Sequence, residues 1–364
     1  MSKCPLKHLP STVIKYIRLG LSSQLPRTMR KITVTQLGTK FAEVAKLVEA
    51  AIPTPGCGEV LIKNRYVGIN ASDVNYAAGR YDPSQRPPFD AGFEGLGYVT
   101  AVGEKANLKV GQPVVYLSNG AFAEYKTVAA KQVVPLPEVD PRYLPFMLSG
   151  LTAAISLDKV GQIRKGDKVL ITAAAGGTGQ FAVQWCKLTG CEVIGTCSSD
   201  DKVKFLKTIG CNRPINYKKE NLELVLKAEY PHGVDVVYES IGGAVFETCL
   251  NNLAVGGRLI VIGAISGYTT SFTGGFKSSS MLPLKMLQLS ASLRGFFLMH
   301  YSKDFKEYMM RLISLFKQGK LISSIDMGET TPGGAFVGLE RVYDAVEHMY
   351  SGQNIGKVIV ELPD

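Results

Sequence analysis

The sequence predicts an α/β protein of two domains, a small β-barrel or sandwich followed by a doubly wound parallel sheet. Three observations predict it. The 364 residues suit two domains at roughly 100–200 residues each. From Lys31 to about Leu136 short apolar runs alternate with Gly/Pro turns, whereas from Lys168 onward strand-like and helix-like stretches alternate. A glycine-rich turn, Thr172–Gln180, lies between a predicted strand and a predicted helix, the setting in which such turns hold dinucleotides.

Taken in order, the chain opens with a basic arm, residues 1–29. The formal net charge is +10, but residues 1–40 hold eight Lys/Arg and no Asp or Glu, leaving 33 basic against 31 acidic residues in the rest. Charge gathered in an arm rather than a groove gives no support to a nucleic-acid partner. Val13, Ile14, Ile17 and Leu21 share one helical face. An acid-free amphipathic start of this kind is similar to an organelle transit peptide, which points to a mitochondrion; a solvated surface helix or loose tail is the alternative. No apolar run approaches the roughly 20 residues of a membrane span, and the chain ends Glu361-Leu362-Pro363-Asp364, without a Ser-Lys-Leu address.

In the first domain Val60–Lys63, Tyr66–Ile69, Gly97–Val102, Val114–Leu117 and Phe122–Val128 read as closely spaced strands, and Pro141–Leu157 as a helix. The second domain reads strand Val169–Ala174, helix Gly177–Thr189, strand Glu192–Thr196, helix Asp200–Ile209, and extended Pro214–Asn216. Then come helix Asn221–Glu229, strand Val234–Tyr238, helix Ala244–Leu253, and strands Arg258–Ile262 and Leu293–Phe297. Right-handed crossovers make such alternation a doubly wound sheet. Ser266–Leu289 reads as a long loop, a class that is usually functional. Its Phe272, Phe276, Met281, Leu282, Met286 and Leu287 suit either an apolar ligand or ordinary packing. A helix over about Lys303–Lys317 and a strand Lys357–Glu361 close the chain.

The turn fits Ala174-x-Gly176-x-x-Gly179. Gly176 admits a pyrophosphate to the backbone, Gly179 lets helix and strand pack, and the helix N-terminus supplies N–H donors to the anion. The end of the second strand selects the cofactor. Ser198 stands where an acidic residue would bind the ribose 2′-OH of NAD, and Lys202 follows one helical turn later. A hydroxyl and an ammonium suit a 2′-phosphate, hence NADPH. Asp200 and Asp201 weigh against this unless they cap the next helix. The seven cysteines are odd in number with no C-x-x-C pair, and the four histidines are scattered. Buried reduced thiols fit better than disulfides or a zinc ribbon.

Gly68-Ile69-Asn70-Ala71-Ser72-Asp73, Ala91-Gly92-Phe93-Glu94-Gly95-Leu96-Gly97 and the glycine-rich turn together resemble the medium-chain dehydrogenase/reductase superfamily, in its zinc-free quinone/enone reductase branch. The resemblance covers residue 30 to the end. It implies a GroES-like β-barrel catalytic domain over 30–153, completed by 299–364, and a Rossmann NADPH-binding domain over 154–298. Zinc members of the superfamily carry Cys where Asn70 stands and His where Phe93 stands, and neither amide nor phenyl is a usable ligand. The expected metal content is therefore none. By resemblance Thr178, Ser198, Lys202, Tyr217, Ser240, Ile262, Tyr268, Phe296, Phe297, Leu298 and Asn354 touch NADPH. Tyr217 and Ile262 could instead be core, Phe296 and Phe297 packing, and Asn354 a turn residue.

The implied chemistry is hydride delivery to a polarised C=C, with donors stabilising the enolate oxygen. Tyr268 is the first protein candidate for that donor and Asn70 the second; Tyr76 and Tyr81 could line the substrate cleft, and Asp73 reads as a helix-start residue. The resemblance implies a lipid enone as substrate, a 15-oxo-prostaglandin reduced at the 13,14 double bond, a peroxisomal setting, and a homodimer paired through Leu293–Phe297. Quinone reduction and a non-catalytic NADPH-binding regulator are the competing readings.

Overall fold

The computed structural model describes residues 27–82, 84–269 and 282–363. The amphipathic face expected at Val13–Leu21, and Phe272, Phe276 and Met281 of the long loop, lie outside them.

The chain begins with β1 (Thr28–Val34), a single turn α1 (Phe41–Val44) and β2 (Ala45–Ala51), an antiparallel pair joined on its other side by β4 (Phe89–Asp90). A larger sheet is built from β3 (Glu59–Gly68), β5 (Glu94–Val102), β6 (Pro113–Leu117), β7 (Tyr125–Ala129) and β8 (Val133–Pro135), with α2 (Ala71–Ala77) after β3. The two runs expected at Val60–Lys63 and Tyr66–Ile69 are thus one strand. It stays paired to β5 through two register shifts, which is how a single ten-residue strand bends to serve a small curved sheet. Pro141–Gly161 is helical almost throughout but carries two π-helical stretches around α3 (Leu151–Ile155), longer than the helix expected at Pro141–Leu157.

The second sheet has six parallel strands in the order β11-β10-β9-β12-β13-β14. These are β9 (Lys168–Ile171), β10 (Glu192–Cys197), β11 (Arg213–Asn216), β12 (Val234–Glu239), β13 (Leu253–Val261) and β14 (Ser292–Gly295), linked by α4 (Gly179–Thr189), α5 (Asp200–Thr208), α6 (Leu222–Glu229), α7 (Gly243–Asn251) and α8 (Leu282–Leu289). Val169, Leu170, Ile171, Val193, Ile194, Val236 and Val237 are fully buried, as a parallel sheet covered on both faces requires. The strand order reverses at β9, and ligands bind such sheets at the carboxyl ends beside that switch point.

The chain then returns to the first sheet. After α9 (Phe305–Lys317), β15 (Ile325–Asp326) and α10 (Val342–Ser351), β16 (Lys357–Glu361) pairs antiparallel with β3. Just before β16, the Gly356 N–H donates to the Ala175 carbonyl at 2.8 Å, tying the C-terminal segment to the glycine-rich turn.

Three expectations need correction. The C-terminal part of the long loop is helix α8: Leu282 and Met286 pack on the core beneath β13 and Leu287 is exposed, so none of the three lines the cleft. The cap of α5 is Ser199, whose hydroxyl accepts the Lys202 N–H at 3.3 Å; Asp200 instead accepts from Asn216 and Lys219. Finally, Cys57 is exposed, while the other described cysteines are buried free thiols.

Candidate active site

A cavity of about 1460 Å³ lies between the two sheets. Its wall on the parallel-sheet side is the turn from β9 to α4. Gly179 there has no room for a side chain: a Cβ would stand 2.4 Å from the Ala173 carbonyl oxygen and 2.7 Å from Ala174 Cα. Ala173 is held in the left-handed region at φ 48°, and its N–H donates to Thr196 Oγ1 at 3.2 Å. The first turn of the eleven-residue α4 therefore starts directly against the backbone of the loop. Gly176, Thr178 and Gly179 all face the cavity, and the positive end of a helix favours an anion there.

Ser198 follows the last residue of β10. Its hydroxyl donates to the Gly352 carbonyl at 3.3 Å, and Lys202 Nζ donates to the same oxygen at 2.8 Å. Lys202 is only 8% exposed, and burial holds its amine below the ordinary lysine range. A hydroxyl and a desolvated ammonium converging on one acceptor make a fitting seat for a phosphate. Tyr217 faces the same part of the cavity and is half exposed, which excludes the core reading. Ser240, at the end of β12, donates its N–H to Thr172 Oγ1 at 2.9 Å.

The cavity is also lined by Ile262, Tyr268, Phe296, Phe297, Leu298 and Asn354. Tyr268 is buried and its phenol oxygen accepts the Ala264 N–H at 3.1 Å. Burial, with the neighbouring Tyr268 phenol, holds the Tyr81 phenol above the ordinary tyrosine range. Arg80, from the first sheet's side, donates to the carbonyls of Gly267 and Tyr268 at 3.0 Å each, so a cross-domain clamp holds the tyrosine's segment. Phe296 stacks on Tyr301 at 4.8 Å, and Phe297 lies 5.8 Å from the Tyr81 ring. Asn354 donates to the Gly356 carbonyl at 2.8 Å, so it shapes its turn as well as facing the cavity.

The first sheet contributes Asn70, Tyr76 and Tyr81. The Tyr76 hydroxyl accepts from Asn119 Nδ2 at 3.0 Å, and its ring packs edge-on against Phe89 and Phe93. Asn70 Nδ2 donates to the Glu94 carboxylate at 3.0 Å and to the Gly68 carbonyl at 3.2 Å, while its Oδ1 accepts from Lys357 Nζ. A carboxylate can only accept and an ammonium can only donate, so these neighbours settle which way the amide points. Both N–H groups of the Asn70 amide are thereby used inside the protein, which weakens its standing as an enolate donor. Asp73, in the first turn of α2, accepts the Asn70 N–H at 2.7 Å, and full burial pushes its carboxyl up to about 8.

Every catalytic and cofactor candidate from the sequence, with Tyr76 and Tyr81, borders this one cavity; the described long-loop candidates, Leu282, Met286 and Leu287, do not join them. Sequence reasoning missed Lys357, Glu94, Arg80 and Glu239. Glu94 stood inside a quoted motif, and its packing explains a neighbouring glycine: a Cβ on Gly68 would lie 2.5 Å from Glu94 Oε1. Glu239 is fully buried and organises the loop after β12 by accepting the N–H groups of Ile241 and Gly242. Among the described residues no group of three His, Cys, Asp or Glu could hold a metal ion.

Comparison with known proteins agrees with this architecture. Residues 56–138 match the alcohol dehydrogenase GroES-like domain and residues 177–314 the zinc-binding dehydrogenase family. The chain is 54% identical over 344 residues to prostaglandin reductase-3 of Mus musculus, spanning 94% of this chain and 91% of that one. It is 44% identical over 343 residues to a Leishmania amazonensis protein named "Probable quinone oxidoreductase", spanning 93% and 99%. Among solved structures, Escherichia coli quinone oxidoreductase complexed with NADPH superposes with a TM-score of 0.79 at 27% identity, over 91% of this chain and 99% of that one. The chain belongs to the medium-chain dehydrogenase/reductase superfamily, in its quinone oxidoreductase-like branch.

Proposed function

We propose that the protein reduces the C=C bond of α,β-unsaturated ketones with NADPH, and that 15-oxo-prostaglandins are among its acceptors. The observation that carries this reading is the single cavity. One end presents a phosphate turn with Ser198 and Lys202, and the other is walled by Tyr76, Phe93, Leu117 and Phe297. Similarity to a prostaglandin reductase supports the choice of acceptor.

NADPH, when bound, supplies the hydride. The turn Gly176–Gly179 and the start of α4 would hold its diphosphate, and Ser198, Lys202 and Tyr217 its 2′-phosphate. Tyr268, pinned by the Ala264 N–H, would place its phenol beside the acceptor's carbonyl. The apolar wall would exclude water and orient the acceptor for hydride transfer, and positioning of that kind supplies much of the rate.

The test is NADPH consumption with a 15-oxo-prostaglandin, with NADH and EDTA controls and mass analysis of the product. NADPH oxidation that resists EDTA and yields a product two hydrogens heavier is the expected result. Tight NADPH binding without oxidation would refute it. Likeness to quinone oxidoreductases supports a second reading, which turnover of ortho-quinones in place of enones would establish.

A further inference from the structure

Lys357, which borders the cavity, belongs to a buried charged pair that neither the phosphate turn nor Tyr268 accounts for. Lys357, the first residue of β16, and Glu94, the first of β5, meet at 2.5 Å with their side chains 3% and 0% exposed. Such a pair recovers little net stability once both ions are desolvated, so stability is a weak reason for it. Two of the three ammonium hydrogens are used: Lys357 Nζ donates to Glu94 and to Asn70 Oδ1. No partner is seen for the third among the described residues, and Lys357 borders the cavity next to Asn70. Its stem passes Gly177, where a Cβ would stand 3.2 Å from Lys357 Cδ. The side chain thus runs from the phosphate turn to the acceptor end, with its charge at the latter.

We propose that Lys357 is a further catalytic residue: its ammonium, held by Glu94 and Asn70, donates to the substrate oxygen on which negative charge collects. Asn70 and Glu94 are then positioning residues, which explains why the Asn70 amide is spent on them. A fixed donor in a site shielded from water is strong because nothing must reorganise during the reaction. The inference deepens the enone reading and rests on it for the identity of the anion.

Lys357→Met alone would strand a buried carboxylate, so the test uses Glu94→Gln/Lys357→Met together, with Lys357→Arg as the variant that keeps a cation. At saturating NADPH the double variant should lose about 10²–10³ in kcat, the range for one removed oxyanion donor. Its NADPH Kd, read by cofactor fluorescence, should stay within about threefold, and Lys357→Arg should recover at least about tenfold of the lost rate. An unchanged kcat overturns the proposal. A tenfold weaker NADPH Kd with kcat intact also overturns it, because the lysine would then serve the cofactor's diphosphate.

A second readout needs no turnover. In protein loaded with NADP⁺, bound 4-nitrophenol should ionise about one pH unit lower in the wild type than in the double variant, followed by phenolate absorbance. Equal titrations in the two proteins overturn the proposal even if no enone is ever reduced. A shift without enone turnover would keep Lys357 as an anion donor and refute only the choice of acceptor.

Discussion

Lys202→Met removes one ammonium from the cofactor end while keeping most of the buried stem. The side chain is only 8% exposed, so its charge acts with little screening by solvent. A hydrogen bond between an ammonium and a phosphate contributes about 1.5–3 kcal/mol. Binding here is an exchange, because Nζ already donates to the Gly352 carbonyl at 2.8 Å. The net loss should therefore fall near the middle of that range, about 2 kcal/mol, or roughly 30-fold in NADPH Kd. NADH has no 2′-phosphate and should change by less than about twofold. The Gly352 carbonyl keeps the Ser198 hydroxyl at 3.3 Å, so folding stability should fall by no more than about 1 kcal/mol. Fluorescence titration of both cofactors at one ionic strength reads the ratio directly. A pH series adds a check on the sign. Burial lowers the Lys202 pKa in the free protein, and only the protonated amine attracts the phosphate. NADPH affinity should thus decline with rising pH before the ordinary lysine range is reached, and Lys202→Met should abolish that decline. Equal weakening of NADPH and NADH would refute the assignment.

Three further outcomes follow from the same geometry. Tyr268→Phe removes the acceptor of the Ala264 N–H and the phenol donor; kcat should drop about 10²–10³-fold with NADPH Kd within about threefold, and an unchanged kcat would exclude the phenol from the chemistry. Gly179→Ala forces a methyl to 2.4 Å from the Ala173 carbonyl; a loss of at least about 2 kcal/mol in urea denaturation and failure of NADPH binding are expected, and a stable, cofactor-binding variant would contradict the tight turn. Asp73 is held at about 8 in the folded protein, so between the ordinary carboxylate range and that value the folded chain keeps a proton that the unfolded chain has released. Its contribution to stability is complete below about pH 4 and falls by about 1.4 kcal/mol per pH unit up to about pH 8. Asp73→Asn, which can still accept the Asn70 N–H, should flatten that slope in urea midpoints measured from pH 5 to 8.5; an unchanged slope would show that Asp73 ionises normally.

The parts of the site legible in the sequence are those where local backbone geometry dictates the residue. Gly179 can be read because strand, turn and helix are contiguous and only glycine fits the packing. Ser198 and Lys202 follow by counting from the end of the next strand. Lys357 and Glu94 could not be read this way. They open strands at distant points in the chain, and their meeting depends on β16 and β5 flanking β3 from opposite sides. The strands β1 and β2 are not legible because Thr28–Ala51 mixes charged and apolar residues without clear alternation. Helix α8 read as loop because glycine and serine upstream of it dominate the composition of the stretch.

The two cavity lysines show how an unliganded structure distinguishes a binding charge from a fixed one. Each is nearly buried, and each donates to an acceptor within its own chain. Lys202 rests on a neutral carbonyl, which a phosphate outcompetes because an ion pair in a desolvated site exceeds an ion–dipole contact. Lys357 rests on a carboxylate that no incoming anion can displace without stranding Glu94 in the core. Lys202 is therefore free to change partners as a ligand arrives, and Lys357 can only add one. That asymmetry is the physical ground for proposing the first in cofactor selection and the second at a transient charge, and it follows from the acceptors rather than from the lysines themselves.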